Sequence, residues 1–300
     1  MCGENEYLLR QVLRNEWDFD GFTICDFVWG VKDTVASASS GLDIEMPITH
    51  FYGEKLLEAV REGEVTEQTI DESALRIIRT LLAHEHFIEE HKKEGCCDYR
   101  KHQELALQCA REGITLLKNE DQLLPIDCKK RKKIVVLGSY ADRENIGDRG
   151  SSQVYAPYVV TILQGITEYP SDAEVIYYSG ESASHCRRLA KEAVVVLVGG
   201  SMILMDEWED QVGAILMAYY PGMEGGKAVA DVLCGKTNPG GKLPFVIPKK
   251  EEDLPEIDWD AEEFRYDYYH GYTLLNKSHV KPLYPFGYGL SYTTFTLAGM

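Results

Sequence analysis

Short apolar runs alternate with helical segments through the first part of the chain, and this alternation limits the fold more than any other feature. Residues 21–25 (GFTIC) form a β-rich run closed by Asp26, and residues 41–46 (GLDIEM) form a second, stopped by Pro47. Between them, residues 35–40 are rich in small side chains and read as a helix. Residues 55–63 follow as a helix ending on a glycine, and residues 69–86 as a longer one with Ile77, Ile78, Leu81 and Leu82 on its apolar face. A helix over residues 7–17, carrying Leu8, Leu9, Val12 and Leu13 on one side, precedes them all. Strand, helix, strand, helix is the order of an α/β fold, because parallel neighbours need a crossover and the crossover is usually a helix.

The same order resumes after residues 89–95 (EEHKKEG), a charged stretch without periodicity that reads as a linker. Residues 102–117 read as one helix and residues 118–124 as a polar turn ending at Pro125. Strands are expected at residues 134–138, 175–178 and 194–198, and helices at 185–192, 212–219 and 227–233. The rest is rich in proline, glycine and tyrosine and is expected to wrap over the surface. At 300 residues there is room for two ordinary domains. A closed (β/α)8 barrel takes ~250 residues, so a whole barrel and a second large domain cannot both fit.

Composition narrows the function. Forty-four per cent hydrophobic residues with 27% charged is ordinary for a globular chain. Lysine and arginine number 31 against 49 acidic residues, a net charge of −18. That argues against a nucleic-acid binder, which needs a basic face to displace counterions. The longest apolar run, residues 193–205, contains two glycines and spans 13 residues, short of the ~20 a membrane helix needs. Residues 1–14 lack the apolar core of a signal peptide, so a cytoplasmic location is expected. The eight cysteines are scattered, with no CxxC pair, and read as reduced and mostly buried. No metal site is expected: His84 and His86 are two apart on a helix and face different ways, and His91 follows in a polar stretch.

Chemistry is best concentrated at Asp26. A carboxylate at the carboxyl end of a buried parallel strand lies where strand-end loops open into the cleft of an α/β fold. On position alone, a cap for the following turn competes with that role. Phe27 and Trp29 shift the balance, since aromatic rings on a loop suit the C–H faces of sugars and a flanking carboxylate suits glycosidic chemistry. Asp18 and Asp20 precede the strand and read as turn residues. There is no GxSxG elbow, Walker loop or GxGxxG fingerprint. Residues 147–152 (GDRGSS) read equally as a ligand-facing loop or a plain turn.

With these residues in view, the chain resembles glycoside hydrolase family 3, the family of β-glucosidases and related exo-acting enzymes. Residues 16–26 (EWDFDGFTICD) are similar to the family's nucleophile segment, and residues 41–47 (GLDIEMP) to its next barrel strand. Residues 110–119 (AREGITLLKN) resemble the entry to its second domain, an α/β sandwich. Residues 220–226 (YPGMEGG), 238–244 (NPGGKLP) and 284–295 (YPFGYGLSYTTF) resemble further signatures in the family's order.

The resemblance implies a fold: the C-terminal fragment of a (β/α)8 barrel over residues 1–90, a linker at 91–100, and a shortened α/β sandwich over 101–300, with the shortening near 198–200. It implies Asp26 as nucleophile of a retaining β-glucosidase-like reaction, with Phe27 and Trp29 against a small-molecule glycoside. Cofactor and metal are not implied, nor is a nucleic-acid or membrane partner. Two departures stand out. The family's earlier barrel strands have no counterpart, so unpaired strand edges invite self-association. The family's acid/base glutamate motif is also missing: Glu181 and Glu207 lie near the expected junction, and neither carries it. The alternative reading is therefore a catalytically silent remnant or sugar-binding fragment.

Overall fold

The computed structural model describes residues 2–90, 99–148, 150, 152–180, 193–258, 260–261, 265, 267–294 and 296. The expected helix at 185–192, Glu181, His91 and most of the expected linker lie outside the described residues. The chain divides into two units, Met1–Cys97 and Asp98–Met300.

The first unit is built from helices around a minimal pair of extended segments. A ten-residue π-helix, Tyr7–Glu16, is followed by α1 (Thr34–Ser40), α2 (Glu54–Arg61) and α3 (Glu67–Glu90). The two expected strands are reduced to one parallel bridge, Ile24 to Ile44. Cys25 N–H donates to the Ile44 carbonyl at 3.0 Å, and Ile44 N–H to that of Thr23 at 3.1 Å. Cys25, Val31 and Leu42 form one small core, and Ala38, Ala59 and Val65 another. Of the apolar face expected for α3, Ile77 is partly buried, whereas Ile78, Leu81 and Leu82 are each more than half exposed. The reason lies at Asp43. Its buried carboxylate recruits Arg76, which turns inward along with Ile70, packed on the Ala38–Ala59–Val65 core, and leaves the leucines outside.

The second unit starts with α4 (Tyr99–Gly113), which runs almost directly into β1 (Thr115–Asn119). Then come β2 (Lys133–Leu137), α5 (Ile162–Thr167), β3 (Glu174–Tyr178), β4 (Val194–Leu197), β5 (Ala214–Met217), α6 (Gly225–Leu233) and α7 (Tyr272–Lys277). One sheet has the order β1-β5-β4, with β1 antiparallel and β4 parallel to the central β5. The other pairs β2 and β3 in parallel.

β5 corrects two sequence expectations. Residues 212–219 were expected as a helix, and residues 102–117 as one unbroken helix. Instead Ala214–Met217 is a strand, and the latter helix ends before β1. A central strand covered on both faces is apolar at every position and loses the two-residue alternation. Ala214 and Leu216 enter a core with Ile114, Leu116, Ala228, Val229 and Val232. Ile215 and Met217 enter the opposite core with Leu117, Met205, Leu243, Ile247 and Tyr284.

The expectation of uniformly reduced, mostly buried cysteines is also overturned. Cys128 and Cys234 form a disulfide across 106 residues, while Cys2 and Cys109 are exposed and Cys25 is buried. Ile126 N–H donates to the Leu233 carbonyl at 2.7 Å. That bond seats the loop before β2 on the end of α6, and the two Cα atoms stand 5.9 Å apart, within disulfide range. Among the described residues, no helix is long and apolar enough to cross a membrane.

Candidate active site

Asp26 ends the first extended segment of the first unit, just past the Ile24–Ile44 bridge. Its segment is clamped to the neighbour by the residue before it. The Met46 N–H donates to Cys25 Sγ at 3.2 Å, and the thiol donates to the Met46 carbonyl at 3.6 Å. Val28 N–H donates to that same carbonyl at 3.1 Å. Beyond Asp26 the chain turns sharply, with Gly30 N–H donating to the Asp26 carbonyl at 2.9 Å. A Cβ at Gly30 would lie 2.5 Å from the Asp26 backbone N and O, so only glycine fits there. Inside the turn Val28 holds φ at +69°, a conformation that costs a β-branched residue energy and recurs at functional sites.

This turn presents an exposed patch. Phe27 is 50% exposed and Trp29 74%. The Asp26 carboxylate is exposed too, and among the described residues it makes no hydrogen bond or ion pair. A carboxylate left unneutralised beside two accessible rings has the equipment to attack an electrophilic carbon held against those rings. Asp18 and Asp20 lie before the strand segment, Asp20 in a surface ion pair with Arg79 at 3.9 Å.

Two acidic residues not singled out in the sequence fix the neighbouring loops. Glu45 leaves the second extended segment at the same end as Asp26. It accepts the backbone N–H groups of His50 at 3.0 Å, Phe51 at 3.1 Å and Tyr52 at 2.8 Å. Partial burial raises the pKa of its carboxyl, and the three amide donors outweigh that, leaving it below the usual range. Glu4 accepts Lys32 N–H at 2.6 Å and Asp33 N–H at 2.9 Å, holding the chain where it leaves the Asp26 turn. Asp33 in turn caps α1 through Ala36 N–H at 2.7 Å. Nothing local in the sequence marks Glu4. Glu45 stands in GLDIEM just before a proline, where a loop must begin.

Beneath both segments lies Asp43, its side chain fully buried. It accepts Arg14 Nη2 at 2.9 Å, both Arg76 Nε and Nη2, and the Thr23 backbone and hydroxyl. One carboxylate thereby binds the π-helix, the Asp26 segment and α3 together.

In the second unit a shallow cleft is lined by Tyr140, Arg143, Asn145 and Thr161 near the ends of β2 and β4, beside the start of α6. The buried carboxylate nearby is Glu224, which precedes α6. It accepts Gln103 Nε2 at 2.9 Å and the Tyr158 hydroxyl, and it pairs with Lys227 Nζ at 2.9 Å. Burial pushes its pKa up, and Lys227, Tyr158 and Gln103 more than reverse this. Held ionised, Glu224 has no proton to give a leaving group. Glu207 is exposed, with its backbone carbonyl accepting from Gln211. Among the described residues no cluster of His, Cys, Asp and Glu could hold a metal ion.

Comparison with known proteins accounts for these motifs. The description "Glycosyl hydrolase family 3 N terminal domain" matches residues 1–80, and "Glycosyl hydrolase family 3 C-terminal domain" matches residues 114–186 and 179–292. The chain belongs to glycoside hydrolase family 3. It is 31% identical to thermostable beta-glucosidase B of Acetivibrio thermocellus over 355 aligned positions, covering 98% of this chain and 46% of that one. It is 29% identical to an exo-alpha-(1->6)-L-arabinopyranosidase of Bifidobacterium longum, covering 99% and 47% respectively. Among solved structures it superposes on beta-glucosidase 3B of Thermotoga neapolitana with a TM-score of 0.80 at 26% identity, covering 98% of this chain and 53% of that one. The mixed α/β fold of this family-3 chain is therefore that of its relatives, and the chain spans about half the length of the curated relatives it matches.

Proposed function

We propose that this family-3 chain carries the nucleophile of a retaining, exo-acting β-glycoside hydrolase, that the nucleophile is Asp26, and that Phe27 and Trp29 form the adjoining sugar surface. The observation that carries this reading is the exposed Asp26 carboxylate, unpaired among the described residues, at the end of the segment whose sequence bears the family signature. In the first step a carboxylate oxygen bonds to the anomeric carbon as the glycosidic C–O bond breaks, and a second carboxyl group protonates the departing oxygen. In the second step that group, now a base, takes a proton from water as the water oxygen displaces Asp26 from the sugar. Retention requires the two groups ~5–5.5 Å apart. The Asp43 hub and the Cys25–Met46 clamp hold Asp26 in place without touching the sugar.

The barrel fragment over residues 1–90 and the shortened sandwich over 101–300, with a junction near 198–200, belong to this proposal. The two stretches of the C-terminal family match meet at residues 179–186. A neutral glycoside suits the chain's acidic surface, and the single Ile24–Ile44 bridge leaves strand edges open to self-association.

An activated aryl β-glucoside with a 2-fluoro substituent should leave a glycosyl ester on Asp26, located by peptide mass mapping. Asp26→Ala should abolish both the ester and turnover. Labelling at another residue, or turnover that survives the substitution, overturns the assignment. A second reading, a catalytically silent sugar-binding remnant, is supported by the missing glutamate motif and the missing barrel strands. Turnover by the purified chain at rates typical of glycosidases would exclude it.

A further inference from the structure

Five of the chain's 31 lysines and arginines stand together at residues 129–133 (KKRKK), and no other run of these two residues is longer than two. All five are exposed. The run forms the turn that leads into β2, at the opposite end of that strand from Tyr140 and Arg143. Its backbone is held in place. Lys130 N–H and Arg131 N–H both donate to the Asp127 carbonyl, at 3.0 and 3.1 Å, and Lys129 N–H donates to Asp127 Oδ1 at 3.2 Å. Just before the run, Cys128 is bonded to Cys234, and near its end Glu174 N–H donates to the Lys132 carbonyl at 2.9 Å.

Two of the five charges are neutralised within the fold: Lys130 pairs with Asp127 at 2.8 Å and Lys133 with Glu174 at 3.2 Å. The side chains of Lys129, Arg131 and Lys132 make no ion pair or hydrogen bond among the described residues. Cations on a restrained turn attract an anion over about one Debye length, ~8 Å at physiological salt. Farther out, the net charge of −18 repels it. An occupant must therefore reach the turn without covering the acidic surface around it. A flat anionic bilayer and a DNA duplex are too broad for that. A single nucleic-acid strand is held by stacking on aromatic rings, and residues 126–134 contain none.

We propose that Lys129, Arg131 and Lys132 form a docking site for a slender linear polyanion bearing carboxylates, a polyuronate chain. One carboxylate per sugar gives a row of single charges spaced a sugar apart, so three of them can meet the three free cations. The Arg131 guanidinium takes one carboxylate through paired N–H donors, and the two ammonium groups act as point charges on its neighbours. Polyphosphate is as slender, but its denser charge would leave most phosphates facing acidic surface. The turn lies in the second unit and Asp26 in the first. Docking needs no catalysis, so it stands or falls independently of the Asp26 assignment.

The test is an anisotropy titration of fluorescein-labelled oligogalacturonate with the whole chain. Saturable binding is expected, about tenfold weaker at ~200 mM than at ~50 mM salt, as for roughly three released counterions. Arg131→Glu with Lys132→Glu should weaken it at least tenfold, and Lys129→Gln alone several-fold. Lys249→Glu with Lys281→Glu makes the same change in net charge at exposed positions elsewhere, and should leave binding unchanged. Arg131→Lys with Lys132→Arg should retain it. The thermal midpoint of each variant checks that it has folded. Absence of binding by the unmodified chain at low salt, or equal loss in the two charge-reversed pairs, would overturn the proposal. So would tighter binding to polyphosphate, duplex DNA or phosphatidylglycerol vesicles.

Discussion

Glu45 shows how a single side chain sets the conditions under which the Asp26 neighbourhood holds its shape. Its carboxylate gathers three consecutive amide donors of one loop, and those bonds are stronger while it is ionised. The folded pKa lies below the unfolded value of about 4.3. The contribution to stability is therefore fully present above that value and disappears as pH falls through the folded pKa. Urea melts of the chain against pH should show this loss at acidic pH, and Glu45→Gln should remove that part of the slope while lowering stability at pH 7. An unaltered slope in the variant would show that the loop is held by something else. Asp26, by contrast, has its neighbours fixed by a thiol clamp before it and a glycine after it, and among the described residues its carboxylate has no partner.

At the scale of elements, the close pairing of α5 with α6 depends on glycine. A Cβ on Gly226 would lie 1.9 Å from the Thr161 carbonyl oxygen, and one on Gly165 would lie 2.1 Å from that of Gly226. Backbone cannot give way as a side-chain tip can, so Gly226→Ala should destabilise the second unit by about 3 kcal/mol, the upper end of overpacking costs. Gly113 at the end of α4 has no atom within 4 Å of the same position. Gly113→Ala should be neutral or stabilising by up to about 1 kcal/mol. Denaturant melts of the two variants compare them directly, and equal effects would contradict the packing shown here. The helices α1, α2, α3 and α6 and the strands β2, β3 and β4 were legible because each carries a periodic face or a short apolar run bounded by turn residues. β1 and β5 were not, since strands buried on both sides have no period to read.

At the scale of the whole chain, the two units differ in how they are secured. The first has two small cores and a buried charge hub. The second has two cores, one on each face of its central strand, and a disulfide closing 106 residues. Closing so long a loop restricts the unfolded chain, so Cys128→Ser with Cys234→Ser should cost the second unit about 2–4 kcal/mol. Calorimetry of the oxidised chain, the reduced chain and the double variant should place the latter two together, below the first. Identical melting of all three would mean that the disulfide does not contribute in solution.

The sequence by itself determined the family, the α/β character, and the placing of Asp26 at the end of an apolar run between a helix and a turn. Local pattern and motif order suffice for these, because they are written in neighbouring residues. Only the tertiary structure decided that the two expected barrel strands touch through one bridge, that α3 turns its arginine rather than its leucines inward, and that Cys128 meets Cys234. It alone decided that Glu224 is locked in an ion pair and that Tyr272 and Phe286 stack on one another. Each of these depends on residues far apart in the chain. A buried carboxylate or a disulfide is settled by whichever distant group the fold delivers, and no local period records that.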